Sequence, residues 1–400
     1  MELEFGHGFL PRIGTDNYKA VDRCLGASQL WAESIDLPWA VVDATWAERR
    51  PDVLQALRSH GTSLIADTFA WRLRFDAAFQ VRRLARASWT PATPVDVSST
   101  AEVEALVRGS LRAQARIGVD AYLVPGFVPV DGNEDLRPTY ETILRTVAEF
   151  TEVEAKPYVL YLGGHTKGLD VVRRIIDGLP SFLSGVYLQL TPIETARDAP
   201  AKLERLVAVY RHASMAGFRV IAGYAGAITP ALKALGVDAA DAGLATAEAF
   251  DQSSTRRGAH RPSGEDNEQR AGGGPRSRMY FSEIDGSMDA AEVRRLLAVP
   301  AAAAQLLGCR LPCHRFTGGD PLERAREHSL WARVDTAREI GRLPATMRLQ
   351  ALHERLRSQR SRLTTINGAL LAAGEAPLDT KPLENRLVWV SRTLQSRSAA

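Results

Sequence analysis

The chain has 400 residues, 45% hydrophobic and 24% charged, with a formal net charge of +3. That composition supports a large globular core and excludes a disordered or collagen-like chain. No apolar run approaches the roughly 18 residues that span a bilayer, three cysteines are too few for a disulfide framework, and the N-terminus lacks a basic-then-apolar signal pattern. The expectation is a cytoplasmic protein with no membrane partner.

In chain order, short apolar runs alternate with amphipathic stretches. The strand candidates are Trp39–Asp43, Ser63–Asp67, Ala121–Pro125, Tyr158–Leu162, Gly185–Leu190, Phe218–Gly223 and Val237–Ala240, with Arg278–Phe281 as an eighth. Helical periodicity covers 101–117, 134–152, 168–179 and 200–216. Eight such units in about 260 residues is the arithmetic of an α/β TIM (β/α)8 barrel. No Gly-x-Gly-x-x-Gly follows the first strand, which argues against a dinucleotide-binding open sheet.

Residues 1–30 read as an N-terminal segment, 31–300 as the barrel and 301–400 as a helical appendage. The stretch 252–278 is rich in Ser, Gly and Arg and reads as a long loop on the active-site face; Arg256, Arg257, Arg261 and Arg270 could grip phosphates there, or the insertion has no role. Beyond residue 300 the alternation stops, and Ala301–Leu307, His328–Gly341, Ala345–Arg362 and 377–396 read as helices. Residues 301–400 carry 16 Lys and Arg against 9 Asp and Glu, so the positive charge concentrates at the C-terminal end. Such asymmetry suits a nucleic-acid contact; a solvated arginine face reads the same way.

In a barrel, residues at the C-terminal strand ends face the substrate. Asp43, Asp67, Asp238 and Asp241 fall at or just past such ends. Each alone is equally well read as a helix cap. Two carboxylates on one ligand could divide nucleophile and general-base work at a glycosidic carbon. His165, after Gly163-Gly164, could act as an acid or contact a substrate, and Gly223 at another strand end permits close approach of a ligand to the backbone. Cys309, Cys313, His314 and His328 have nearly the spacing of a zinc site, which would be structural because protein fills all four positions. Small buried thiols are the plainer reading of the cysteines. Tyr280 and Trp331 read as core.

The run Val220-Ile221-Ala222-Gly223-Tyr224-Ala225-Gly226, then a helix, then Gly236-Val237-Asp238-Ala239-Ala240-Asp241, resembles the tRNA-guanine transglycosylase superfamily, including relatives that insert 7-deazaguanines into DNA. The resemblance implies a zinc-bearing TIM barrel that exchanges a base through a covalent enzyme–nucleic acid intermediate. It casts Asp241 as nucleophile, Asp238 as its neighbour and Asp67, in Leu64-Ile65-Ala66-Asp67-Thr68-Phe69, as general base. It also implies structural Zn2+ on Cys309, Cys313, His314 and His328, DNA or tRNA as partner, a free purine or 7-deazapurine base as co-substrate, and a homodimer or complex subunit. Gln189 or His165, with Gly163 and Gly164, would contact the base. The family's Gln-Gly-Gly is Leu162-Gly163-Gly164 here, Leu188-Gln189-Leu190-Thr191 replaces its Gly-Gly-Leu strand, and Val124-Pro125-Gly126 replaces its base-reading aspartate, so guanine recognition does not carry over. Two alternatives stand beside base exchange: a non-catalytic barrel scaffold or nucleic-acid-binding subunit, and a small-molecule TIM-barrel lyase.

Overall fold

The computed structural model describes residues 3–15, 17–26, 35–151, 155–193, 198–244, 278–306 and 324–398. Eight parallel strands form the centre: β1 (Phe9–Ile13), β2 (Trp39–Asp43), β3 (Ser63–Asp67), β4 (Tyr122–Val124), β5 (Tyr158–His165), β6 (Gly185–Thr191), β7 (Arg219–Ala222) and β8 (Ala239–Ala242). They pair in the order β3-β2-β1-β8-β7-β6-β5-β4. The ring closes where Ile65 of β3 bridges Ala121 just ahead of β4, with Asp120 N donating to Leu64 O at 2.9 Å. Every strand therefore neighbours its sequence neighbours, and the architecture is a TIM barrel.

The strands are buried on both faces, as parallel strands flanked by helices must be. Their outward residues, such as Val42, Leu64, Leu160, Leu188 and Val220, pack under helices Thr100–Ile117, Arg137–Thr151, Leu169–Asp177 and Pro200–Met215. Helix Thr100–Ile117 begins at a Ser99 cap and ends at Gly118 in the left-handed region, a common helix stop.

Two expectations change. The first barrel strand is β1, inside the segment set aside as N-terminal; it pairs with β2 through Arg12↔Val41 and with β8 through Leu10↔Asp241. The expected eighth strand, Arg278–Phe281, is instead β9, paired antiparallel with β10 (Gly286–Asp289) in a separate hairpin. Phe9–Ile13 escapes a hydrophobicity reading because it is short and interrupted by Pro11 and Arg12, and only the neighbouring strands of a closed barrel make it a strand. The barrel thus starts before residue 31.

Helices Ala325–Arg342, Ala345–Ala372 and Lys381–Ser398 follow, and their apolar residues join the same core as the barrel's outer face. Arg333 ties them to the mouth: it donates to Gly226 O, in the turn after β7, at 3.0 Å and lies 4.3 Å from the Tyr280 ring of the hairpin. Among the described residues no helix is long and apolar enough to cross a membrane.

Candidate active site

Strand alternation stacks the barrel interior. Leu10, Val41, Ile65, Tyr161, Tyr187, Ile221 and Ala239 belong to its apolar filling. Two residues further along each chain, on the same face, come Arg12, Asp43, Asp67, Gly163, Gln189, Gly223 and Asp241. These are the C-terminal strand ends, where a TIM barrel carries its chemistry.

Arg12 joins the two carboxylates. Its guanidinium donates to Asp241 Oδ2 at 2.5 Å, to Tyr187 Oη at 2.8 Å and to Asp67 Oδ2. The remaining carboxylate oxygens accept backbone N–H groups, Asp67 Oδ1 from Phe69 at 2.7 Å and Asp241 Oδ1 from Tyr224 at 2.6 Å. The same two residues supply rings to the guanidinium, 4.4 Å away for Tyr224 and 5.7 Å for Phe69. Both have positive φ, 52° for Phe69 and 54° for Tyr224. A non-glycine residue in that region costs of order 1–3 kcal/mol and clusters at functional sites.

The cluster is deeply buried, with the Asp241 side chain 0% exposed, Asp67 3% and Arg12 11%. Buried ions persist only when their hydrogen bonds are well made, which the fork of Arg12 and the two N–H groups provide. Burial pushes the Asp241 carboxyl above its ordinary value, while Arg12 and the Tyr224 N–H pull the other way. Burial likewise drives the phenols of Tyr161, Tyr187 and Tyr224 up, so they stand as neutral hydroxyls.

Beside Asp67 lies a small recess of about 10 Å³, room for about one water, lined by Trp71, Tyr161, Leu123, Pro125 and Gly126. The Trp71 and Tyr161 rings are within 4° of parallel with centroids 6.5 Å apart. Gln189 is fully buried, and neither atom of its carboxamide has a hydrogen-bond partner among the described residues. An unsatisfied buried amide costs about 1–3 kcal/mol per group.

Of the residues singled out in the sequence, Asp67 and Asp241 meet through Arg12, and Gln189 and Gly223 share their face of the barrel. A Cβ on Gly223 would come 2.6 Å from the Tyr187 ring, so glycine there makes room for that tyrosine. Gly163 faces inward but is covered: its Cβ would lie 2.3 Å from the Phe127 carbonyl, because the segment after β4 folds across it. Gly164 points outward against Val172 and Leu190, away from any substrate. His165 lines a separate recess with Asp131, Gly132 and Glu134. Its Nδ1 accepts from Lys167 N at 3.1 Å, and partial burial, then Lys167, lowers its pKa.

Asp238 is corrected. It precedes β8, at the opposite end of the barrel, and its carboxylate accepts from Arg219 Nη1 and Val220 N, both at 2.9 Å. It pins β7 to β8 and is remote from the mouth. Asp43 caps the helix after β2 through Thr45 N and Trp46 N. His328 is buried on helix Ala325–Arg342 with its ring 5.5 Å from that of Phe281. Its proposed co-ligands Cys309, Cys313 and His314, like the arginines of 252–277, lie outside the described residues, among which no three potential metal ligands cluster.

Arg12, Tyr187, Tyr224, Phe69, Trp71 and Tyr161 were not singled out from sequence. The available signal was a charged residue inside the apolar run Phe9–Ile13, directly before Gly14.

No protein-family model matches the chain, and no curated protein matches it. Among solved structures it is similar to an O-GlcNAc hydrolase of Thermobaculum terrenum (12% identity, 99% of this chain and 97% of that one, TM-score 0.37). It is also similar to a dihydrodipicolinate synthase from Bacillus clausii (13% identity, 98% of each chain, TM-score 0.33). A third is the glycoside hydrolase domain of PelA from Pseudomonas aeruginosa (13% identity, 54% of this chain and 82% of that one, TM-score 0.32). Likenesses this distant carry no chemistry across, and the barrel assignment rests on the strand pairing.

Proposed function

We propose that this barrel catalyses glycosyl transfer at a nucleoside-like centre, with Asp241 attacking the anomeric carbon and Asp67 taking the proton of the incoming group. The observation that carries this reading is the pair of carboxylates, from β3 and β8, held by one guanidinium at the C-terminal end of the barrel. A carboxylate beside the anomeric carbon stabilises an oxocarbenium-like transition state and can capture it covalently. Trp71 and Tyr161 give the recess beside Asp67 an aromatic lining, which suits a flat heterocycle as the group exchanged. The free donor and acceptor of Gln189 suit the amide edge of such a ring.

The resemblance to transglycosylases extends the proposal to a (7-deaza)guanine base in DNA or tRNA. A polymer is supported by the open groove between helices Ala345–Ala372 and Lys381–Ser398, where Arg357, Arg360 and Ser361 offer phosphate donors. A small-molecule barrel enzyme is favoured by one observation: the recess beside Asp67, about 10 Å³, is far smaller than ordinary ligand pockets of roughly 300–1,000 Å³. Schiff-base lyase chemistry gains no support from Lys233, whose Nζ bonds the Asp238 carbonyl at the far end of the barrel.

The test is incorporation of labelled guanine and 7-deazaguanine into tRNA and into DNA by the wild type and by Asp241→Asn. Label that enters one polymer and is lost in the variant supports base exchange. Label in neither, from folded protein, removes it and leaves the small-molecule and scaffold readings.

A further inference from the structure

We propose that Arg12 is a positioning residue that keeps Asp67 and Asp241 ionised together, so that neither carboxyl serves as the acid. Its substrates would then be glycosides whose leaving group departs as a stabilised anion, as a nitrogen heterocycle does and a sugar alcohol does not.

The geometry carries this. Among the described residues, the hydrogen-bond partners of the two carboxylates are donors. Asp67 accepts from Phe69 N and Arg12; Asp241 accepts from Tyr224 N, Arg12 and the Tyr187 hydroxyl. The other charged or titratable neighbours are the phenols of Tyr224 and of Tyr210 on helix Pro200–Met215, Tyr161 on β5, whose hydroxyl has no hydrogen-bond partner among the described residues, and Arg72 beyond β3, a second cation near Asp67. Asp43 on β2 is occupied by its helix cap and by Arg83 at 3.3 Å. Two buried carboxylates without a cation between them cannot both ionise, and one takes a proton. With Arg12 forked between them, both stay charged.

The consequence is chemical. The usual carboxyl pair of a glycosidase contains one protonated member that hands its proton to a departing alcohol. Here the bond from Asp241 Oδ to the anomeric carbon forms while the carbon–nitrogen bond breaks, and its electron pair leaves with the heterocycle. The incoming group then gives its N–H or O–H proton to Asp67 and attacks the anomeric carbon, the ester's electron pair returns to Asp241, and Asp67 passes the proton to the departed heterocycle anion, restoring both carboxylates. No proton donor is required, which a sugar alkoxide would need. This assignment of substrate rests on the glycosyl-transfer reading; the charge role of Arg12 does not.

The deciding experiment is the unfolding equilibrium from pH 5 to pH 8 for the wild type, Arg12→Gln and Arg12→Lys. Losing the cation makes the folded Arg12→Gln protein bind one more proton than the wild type. The gap in their folded-to-unfolded ratios should then widen toward tenfold per pH unit as pH rises. Arg12→Lys keeps the charge and should show a gap that does not change with pH. A pH-independent gap for Arg12→Gln, or a pH-dependent one for Arg12→Lys, overturns the proposal. If Arg12→Gln is too unstable at pH 8 to measure, its recovery at pH 5 gives the same answer. For the substrate class, methyl riboside and nucleosides are offered to the wild type, and cleavage of methyl riboside overturns that part. Should base exchange fail while the pH gap appears, the reaction falls and the role of Arg12 stands.

Discussion

Asp67 and Asp241 are the residues whose meaning changed most between sequence and structure. As isolated strand-end carboxylates they were indistinguishable from helix caps, and Asp43 is such a cap. What separates them is Arg12, which no linear spacing connects to either. Asp241→Asn is expected to abolish label incorporation, and Asp67→Asn to slow it by about 10²–10⁴-fold, the usual contribution of a general base. Circular dichroism of both variants separates lost chemistry from lost fold. A quieter prediction concerns Gly223: Ala there must displace the Tyr187 ring. Overpacking typically costs about 1–3 kcal/mol, so Gly223→Ala should lower the denaturation midpoint, and an unchanged midpoint would show that the ring moves freely.

At the scale of elements, strands β2 to β7 were legible because each is an apolar run bounded by turn residues, and β8 was found two residues early. β1 was not, since Pro11 and Arg12 break its pattern and its strand character comes from pairing with β2 and β8. The hairpin β9–β10 looked like a barrel strand because Met279-Tyr280-Phe281 is apolar. It is buried by the C-terminal helices instead, with Tyr280 N donating to Ser329 Oγ at 3.1 Å and Gln359 Nε2 to Ser282 O at 2.6 Å. The helix that follows starts with a capping box, in which Asp289 Oδ1 accepts from Glu292 N and Glu292 accepts from Asp289 N, both at 3.0 Å. Asp289→Ala should cost about 1 kcal/mol, the ordinary value of such a cap, read as a shift in the urea midpoint.

For the whole molecule, the barrel floor carries a pH dependence. His7 is buried beneath β1; its Nδ1 accepts from Phe9 N at 3.2 Å, and its Nε2 lies 3.1 Å from the Asp36 carbonyl, to which it donates. Burial, with Arg338 and Lys233 nearby, lowers its pKa to about 4. A depressed histidine folds neutral, so its stabilising contribution is whole above the unfolded value of about 6.5 and is lost as pH falls toward 4. The loss is at most about 3 kcal/mol at 1.36 kcal/mol per pH unit. Unfolding at pH 7.5 and pH 5 should show the wild type weakening by more than His7→Gln; equal losses would place the acid sensitivity elsewhere.

The sequence by itself determined the fold class, because alternation of apolar and amphipathic runs follows from local burial needs that each segment carries alone. It also placed two aspartates at strand ends, a property of position along the chain. Only the tertiary structure decided which carboxylates meet. Closure of the barrel brings β1, β3 and β8 to one mouth and puts Arg12 between Asp67 and Asp241, while Asp238, three residues earlier, falls at the other end. One rise along a strand reverses a side chain's face, and a few reverse its end of the barrel. The partners of a buried charge are set by strands far apart in sequence, which no local pattern records.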